Sequence, residues 1–457
     1  MNRLKTSIDE YLSKNPIRFH VPSHKGRMDT SLLCPSRDIT ELDFSDNMNH
    51  PQNILRNEEL IAAQIFGVKQ TFFSLNGATA GVMASILYAV YPGETLILPT
   101  DSHISAYYGA VHANANLVRC VVKNPITGIT LEEVRSCVKK YPNAKAFLIT
   151  NPTYYGFCCD INAIVQYLKQ NQIFVIVDES HGTHFHFSNE YPISAIDAGA
   201  DVVIHSGHKT INGLTQTGLV HINSDEIDTE HFKTRLCMLS STSPSYLLIQ
   251  SLINAVDQLK NIENLLYDLK LWYNQTQAIL SELTNFTLLN HPFSDVHAYG
   301  YDALKLCIGV ANGKGRYYSE QLETDYGIFA ELTQNDIVLM SAGLGSVQSD
   351  YIKLHDALKK CDRTQLPDIQ IDSINETIIY ARKQMPIATA LYAKYEYIPL
   401  DQSLGHISAE FISVYPPGAP VILPGDILDE DVIKYIQNVP TSCLIGLYNG
   451  TLKVVKQ

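Results

Sequence analysis

Apolar positions fall along the chain in two rhythms. From about Gln70 to Asn223, short unbroken apolar runs alternate with helix-like segments, which predicts strands joined by crossover helices in a mostly parallel sheet. TLILP (95–99), AFLIT (146–150), IFVIVD (173–178) and DVVIHS (201–206) read as its strands, rich in large apolar residues with little polar alternation, as expected of strands covered on both faces. Each ends at a polar or turn-forming residue. Ligands of open α/β sheets gather beyond the carboxyl ends of strands, so Asp101, Asn151, Asp178 and Ser206 to Lys209 are expected along one rim.

Beyond Pro244 apolar residues recur every three or four positions, predicting amphipathic helices on a core. A polar, turn-rich stretch at His291–Ala298 marks a boundary, after which DALKLCIGV, LETDYGIFAEL and DIVLMSAGLG read as strand, helix and strand of a smaller α/β module. A second break is expected near Cys361–Asp372, and the prolines of YPPGAPVILPG (415–425) enforce extended or turn backbone. The expected division is an N-terminal arm (1–35), a large domain (36–292) and a C-terminal α/β region (293–457). The N-terminus reads as a short helix without a signal-peptide core, and no apolar run approaches the ~20 residues that span a bilayer.

Composition narrows the function classes. In 457 residues, 34 Lys plus Arg against 47 Asp plus Glu give a net charge of −13, which disfavours nucleic acid and anionic lipid as partners and suits a small or cationic ligand. Nine cysteines, an odd number without CxxC spacing, read as reduced thiols in a cytoplasmic protein.

Three features carry candidate chemistry. Asp178 ends one strand and Lys209 follows the next, 31 residues later, so the two can converge at neighbouring strand ends. Each alone is ordinary, since such an Asp caps helices and such a Lys is solvated. Lys209, however, sits in Ser206-Gly207-His208-Lys209-Thr210, where small and hydroxyl residues surround the amine, as a Schiff base to pyridoxal phosphate (PLP) requires. Asn76-Gly77-Ala78-Thr79-Ala80-Gly81 opens a helix after the apolar TFFSL; backbone amides and the Thr79 hydroxyl can hold a phosphate, and Gly77 permits close approach.

These segments, with His20-Val21-Pro22-Ser23-His24-Lys25-Gly26, Asp101-Ser102-His103, Thr150 to Gly156, Val177 to Gly182 and Ser241 to Tyr246, resemble the ornithine/lysine/arginine decarboxylase family of fold-type I PLP enzymes, in its short form without a receiver-like N-terminal domain. The resemblance implies that Lys209 binds PLP covalently, Asp178 pairs with the pyridine nitrogen and His103 stacks on the ring. It also implies that Gly77, Ala78, Thr79, Ser206 and His208 surround the phosphate, with Ser180 and His181 lining the site. Lys209 or His208 would return a proton to Cα. The implied activity is decarboxylation of lysine, arginine or ornithine, with a place in polyamine biosynthesis, in a homodimer or higher homo-oligomer whose HVPSHKG arm lies near the interface. Glu179, Glu331 and Asp336 are candidate carboxylates for the substrate's distal cation, and Glu331 is the one the resemblance places at the pocket.

Four positions depart from the family pattern: Ile104 follows the stacking histidine where Lys is usual, Gly207 stands where Thr is common, and Ser23 and Ser180 replace Gly and Ala. Two alternatives stay open. Other PLP chemistry, such as transamination or elimination, would be favoured if Arg316, Arg363 or Arg382 reached the ring to grip a carboxylate. A metallohydrolase could use His181, His184 and His186 beside Asp178 and Glu179, although His184 and His186 are expected to pair with backbone carbonyls.

Overall fold

A computed structural model describes residues 3–290, 299–363, 380–414 and 418–456. Its centre is a seven-stranded sheet: β1 (Gln70–Ser74), β2 (Thr95–Pro99), β3 (Asn116–Cys120), β4 (Ala146–Thr150), β5 (Phe174–Asp178), β6 (Val202–Ser206) and β7 (Gly218–Ile222). The spatial order is β1-β7-β6-β5-β4-β2-β3. β2 to β6 pair in parallel, while β7 runs antiparallel to both β6 and β1. The four strands expected from sequence are present to within a residue. Their side chains are almost all buried because apolar layers cover both faces.

Helix Gly77–Ala89 is buried from Ala80 to Ile86. Gly81 lets it sit against the sheet, since a Cβ there would lie 2.6 Å from Val220 Cγ2. Helices Tyr246–Gln258, capped by Ser245, and Glu263–Leu280 form the expected amphipathic region. A second, antiparallel sheet follows, from β8 (Phe286–Leu288), β9 (Lys305–Val310), β10 (Leu332–Thr333) and β11 (Ile337–Ser341), in the order β8-β9-β11-β10.

LETDYGIFAEL departs from the expected helix. The helix Gly315–Tyr326 stops where Gly327 turns left-handed at φ 66°, as glycine caps do, and Ile328–Ala330 continues as a strand. That strand pairs in parallel with Ile17–Phe19 of the arm, so the N-terminal segment is sewn into the C-terminal region.

The expected boundary at His291–Ala298, residues 364–372 of the expected second break, and Tyr415 to Pro417 lie outside the described residues. The final segment packs against the sheet edge: Arg119 on β3 pairs with Asp426 at 3.0 Å, and Lys383 donates to Leu117 O at 3.1 Å. Among the described residues no helix is long and apolar enough to cross a membrane, and all nine cysteines are free.

Candidate active site

The parallel strands point their carboxyl ends at one cavity of about 1640 Å³. Gly77, Ala78, Thr79, His103, Asp178, Ser180, His181, Ser206, His208 and Lys209 all line it. Residues spread over 133 positions of sequence therefore meet because the sheet brings the ends of β2, β5 and β6 and the start of the first crossover helix together.

Asp178, the last residue of β5, is buried and accepts from the Ser180 hydroxyl at 2.5 Å and the Ser180 amide at 3.2 Å. The serine that departs from the family pattern thus orients the carboxylate. Burial pushes the Lys209 ammonium below its ordinary range, with Asp178 and Glu331 acting against that shift. Burial, and then Lys209, bring the His208 imidazole down to about 4, so it is uncharged at neutral pH. His103 caps helix Ile104–His112 by accepting from the Ser105 amide at 3.2 Å, and burial lowers its basicity too. His181 is buried with neither ring nitrogen partnered, and burial holds it well below the usual imidazole range.

Along the same cavity, Gly77 takes φ 71° and its amide donates to Gln216 O at 2.8 Å. The following amides of Ala78 and Thr79 lack intrahelical acceptors, as at any helix start. Thr215 and Gln216, in the turn between β6 and β7, face the same space. Sequence reasoning missed both; the only signal was a short polar turn, LTQT, between two apolar runs.

This donor set fits PLP. The cavity offers a buried carboxylate (Asp178) of the kind a ring nitrogen pairs with, an amine (Lys209), and hydroxyl and amide donors that suit a phosphate, and the buried orphan atoms His181 Nδ1 and Nε2 and Thr150 Oγ1 mark a wall built to face another polar group.

Other expectations need correction. Glu331 stands behind the cavity wall, bonded to the lining residue Tyr154, and its charge reaches Lys209 and His208. Its oxygens accept from Val21 N at 2.7 Å and Tyr154 OH at 2.6 Å; burial would raise its pKa, but Lys305 and these donors hold it below the usual range. Glu179 is fully buried away from the cavity, bonded to His205, Ser194 and Ala195. Of the three candidate carboxylates only Asp336 reaches the cavity; Asp101 joins it there, its acidity pushed to about 7 by burial.

The histidine cluster diverges. His184 bonds Asp302 and His186 bonds Asp197, each at 2.9 Å, instead of backbone carbonyls, while His181 faces the cavity. Among the described residues no group of three or more His, Cys, Asp or Glu could hold a metal ion.

Gly207 is explained by a neighbour: a Cβ there would lie 2.6 Å from Thr217 Oγ1 and 2.8 Å from Leu252 Cδ1, so Thr217 occupies the space a larger residue would need. Ser23 ties the arm to the lysine loop, donating to Thr210 O at 2.7 Å and accepting from Leu344 N at 3.0 Å.

Comparison with known proteins agrees with this geometry. Residues 4–292 match the family model for the Orn/Lys/Arg decarboxylase major domain, and residues 378–442 match that for the Orn/Lys/Arg decarboxylase C-terminal domain. Arginine decarboxylase of Bacillus subtilis is 32% identical over 454 residues, covering 95% of this chain and 92% of the relative. The constitutive lysine decarboxylase of Escherichia coli is 21% identical, covering 90% and 70%. Lysine decarboxylase LdcF of Francisella novicida superposes with a TM-score of 0.77 at 17% identity, over 94% of this chain and 74% of that one, so the fold is that of fold-type I PLP enzymes. With one family model matching well over half its length and a full-length relative above 30% identity, this chain belongs to the Orn/Lys/Arg decarboxylase family.

Proposed function

We propose that the protein is a PLP-dependent decarboxylase of a basic amino acid, releasing carbon dioxide and the corresponding amine. The observation that carries this reading is the convergence of Lys209, Asp178 and the Gly77–Thr79 helix start on one cavity. When bound, PLP supplies an electron sink for the pair left at Cα as carbon dioxide departs. Asp178 would keep the ring nitrogen protonated, with Ser180 fixing its oxygen. His103 would cover the ring, and Ala78, Thr79, Ser206 and His208 would hold the phosphate. The proton returned to Cα is assigned to Lys209 Nζ, with His208, which lines the same cavity, as the alternative donor. Asp336 and Asp101, the cavity carboxylates besides Asp178, are the proposed acceptors for the substrate's distal cation.

On this reading residues 1–35 form an arm, 36–292 carry the cofactor and 293–457 close the cavity. Leu42, Phe44 and Ile54 expose large apolar surface, as do Leu4, Ile8 and Leu12 along one stripe of the N-terminal helix, and this supports a homodimer interface around the arm. Nine free thiols support the cytoplasm as its compartment.

The test is incubation of purified protein and PLP with arginine, lysine and ornithine separately, with products identified by mass. One of the three should lose carbon dioxide; a keto acid would replace this reading with transamination.

A further inference from the structure

On the face of the sheet away from the crossover helix Gly77–Ala89, four buried side chains form one continuous hydrogen-bonded row. Thr71 Oγ1 lies 2.9 Å from His221 Nδ1, His221 Nε2 lies 3.0 Å from His205 Nδ1, and His205 Nε2 lies 2.8 Å from Glu179 Oε2. All four residues are 0% exposed. Ser194 Oγ donates to the same Glu179 oxygen at 2.8 Å and Ala195 N to the other at 2.7 Å. The Phe66 ring seals the row, 4.3 Å from the His221 ring and 5.4 Å from that of His205.

The order of protons follows from counting. A carboxylate only accepts, so His205 carries its proton on Nε2 and offers a lone pair at Nδ1. His221 must then donate from Nε2, which leaves its Nδ1 to accept from Thr71. Burial disfavours a charge on His221, holding it well below its ordinary range. In this order each donor of the row meets an acceptor inside a dry core.

The row has a particular address. Glu179 directly follows Asp178 on β5, and His205 directly precedes Ser206 on β6. Successive strand residues point to opposite sides, so each cavity residue has its immediate neighbour clasped behind it. The turn is shaped to that clasp: a Cβ on Gly182 would lie 2.6 Å from Glu179 Cγ. The Glu179 amide adds a bond to Ile204 O at 2.9 Å.

We infer that Glu179, His205 and His221 are positioning residues, which lock the ends of β5 and β6 together so that Asp178 and Ser206 stay set for PLP. This rests on the functional reading above. None of the three touches the cavity; they act through the residues beside them.

The test compares PLP affinity and the absorption band of bound PLP in the full chain and its variants. Glu179→Gln should weaken PLP binding at least tenfold and shift the band, because three donors then face an amide. Glu59→Gln is the control, since Glu59 is an equally buried carboxylate bonded to Lys233 and to Phe73 N instead. It should lower thermal stability and leave affinity and band unchanged. His205→Gln keeps a donor toward Glu179 and should bind PLP within threefold of wild type, whereas His205→Leu should lose at least tenfold. In the cofactor-free protein, nitrogen NMR should find both imidazoles protonated at Nε2 only. That readout and the His205 pair stand if Glu179→Gln does not fold. Nδ1-protonated rings, or wild-type affinity in both Glu179→Gln and His205→Leu, would overturn the inference and leave the functional reading intact. Wild-type protein that binds no PLP would overturn both.

Discussion

Lys25 is a sharp place to test the electrostatics of the arm. It is 5% exposed, and Nζ donates to His20 O at 2.6 Å and Ser341 O at 2.8 Å. Burial lowers its pKa from 10.5 to about 7; Glu331 and Asp350 oppose the shift, and Lys305 and Arg27 add to it. A lysine depressed in the folded state costs stability below its folded pKa, and that cost is relieved as pH rises toward the unfolded value, because between the two only the unfolded chain holds the proton. A shift of 3.5 (10.5 − 7) corresponds to about 5 kcal/mol in all, of which about 2 kcal/mol falls between pH 7 and 9. Lys25→Met keeps the shape and removes the titration, at a pH-independent cost of ~1–3 kcal/mol for each carbonyl left without a donor. Urea unfolding of the cofactor-free protein at pH 7, 8 and 9 checks this, since His20, His24 and the other titrating groups are common to both proteins. The stability difference, wild type minus variant, should grow by about 2 kcal/mol from pH 7 to 9. A difference that stays flat would refute the assignment of a neutralised lysine under the arm.

Three further outcomes follow from the cavity and its surroundings. Asp336→Asn and Asp101→Asn should each raise KM for the preferred basic amino acid about tenfold or more with a smaller change in kcat, consistent with loss of a charge-assisted bond of ~1.5–3 kcal/mol; unchanged KM in both would place the distal cation elsewhere. Gly207→Thr should destabilise by about 1–3 kcal/mol through overpacking against Thr217. Adding Thr217→Ala should recover most of that, and a double-mutant cycle without coupling would remove Thr217 as the explanation. Phe44→Glu, at a side chain 70% exposed, should dissociate the proposed dimer in sedimentation without loss of fold; a sedimentation profile identical to wild type would move the interface away from Phe44.

How much of this was legible depended on the range over which each residue's partners lie. The β4, β5 and β6 strand ends were readable because a buried parallel strand is locally apolar, and Asp178 and Lys209 were placed by the polar residues that end or follow such runs, whereas His103 was placed by the family resemblance alone. The partners of Glu331 were hidden for the converse reason: Val21 and Tyr154, 310 and 177 residues away in sequence, hold its carboxylate. Gly207 looked like a departure until Thr217, ten residues on, was seen to fill the space. His184 and His186 found carboxylates, and Asp302 lies 118 residues from its histidine. The Glu179–His205–His221 row was invisible in sequence because each member sits inside an otherwise apolar strand or beside a site residue, and only the antiparallel placement of β7 beside β6 brings His221 to His205.

Arg316 bears on the choice between decarboxylation and transamination. Of the three arginines that could grip an α-carboxylate, Arg382 is exposed and 3.8 Å from Asp429, and Arg363 is exposed beyond the helix Gln348–Asp362. Arg316 alone lines the cavity, yet it too is solvent-exposed, in the first turn of helix Gly315–Tyr326. An exposed ion pair is worth about 0.2–1 kcal/mol, far short of a buried clamp that stabilises a carboxylate throughout turnover, and a decarboxylase gains nothing from stabilising the group it must expel. Arg316→Ala should therefore raise KM by no more than about fivefold, that energy converted at 1.4 kcal/mol per tenfold, and leave carbon dioxide and amine as the products. A loss of turnover by orders of magnitude with unaltered PLP binding would show that this arginine holds the reacting carboxylate, and the chemistry assigned to the site would have to change with it.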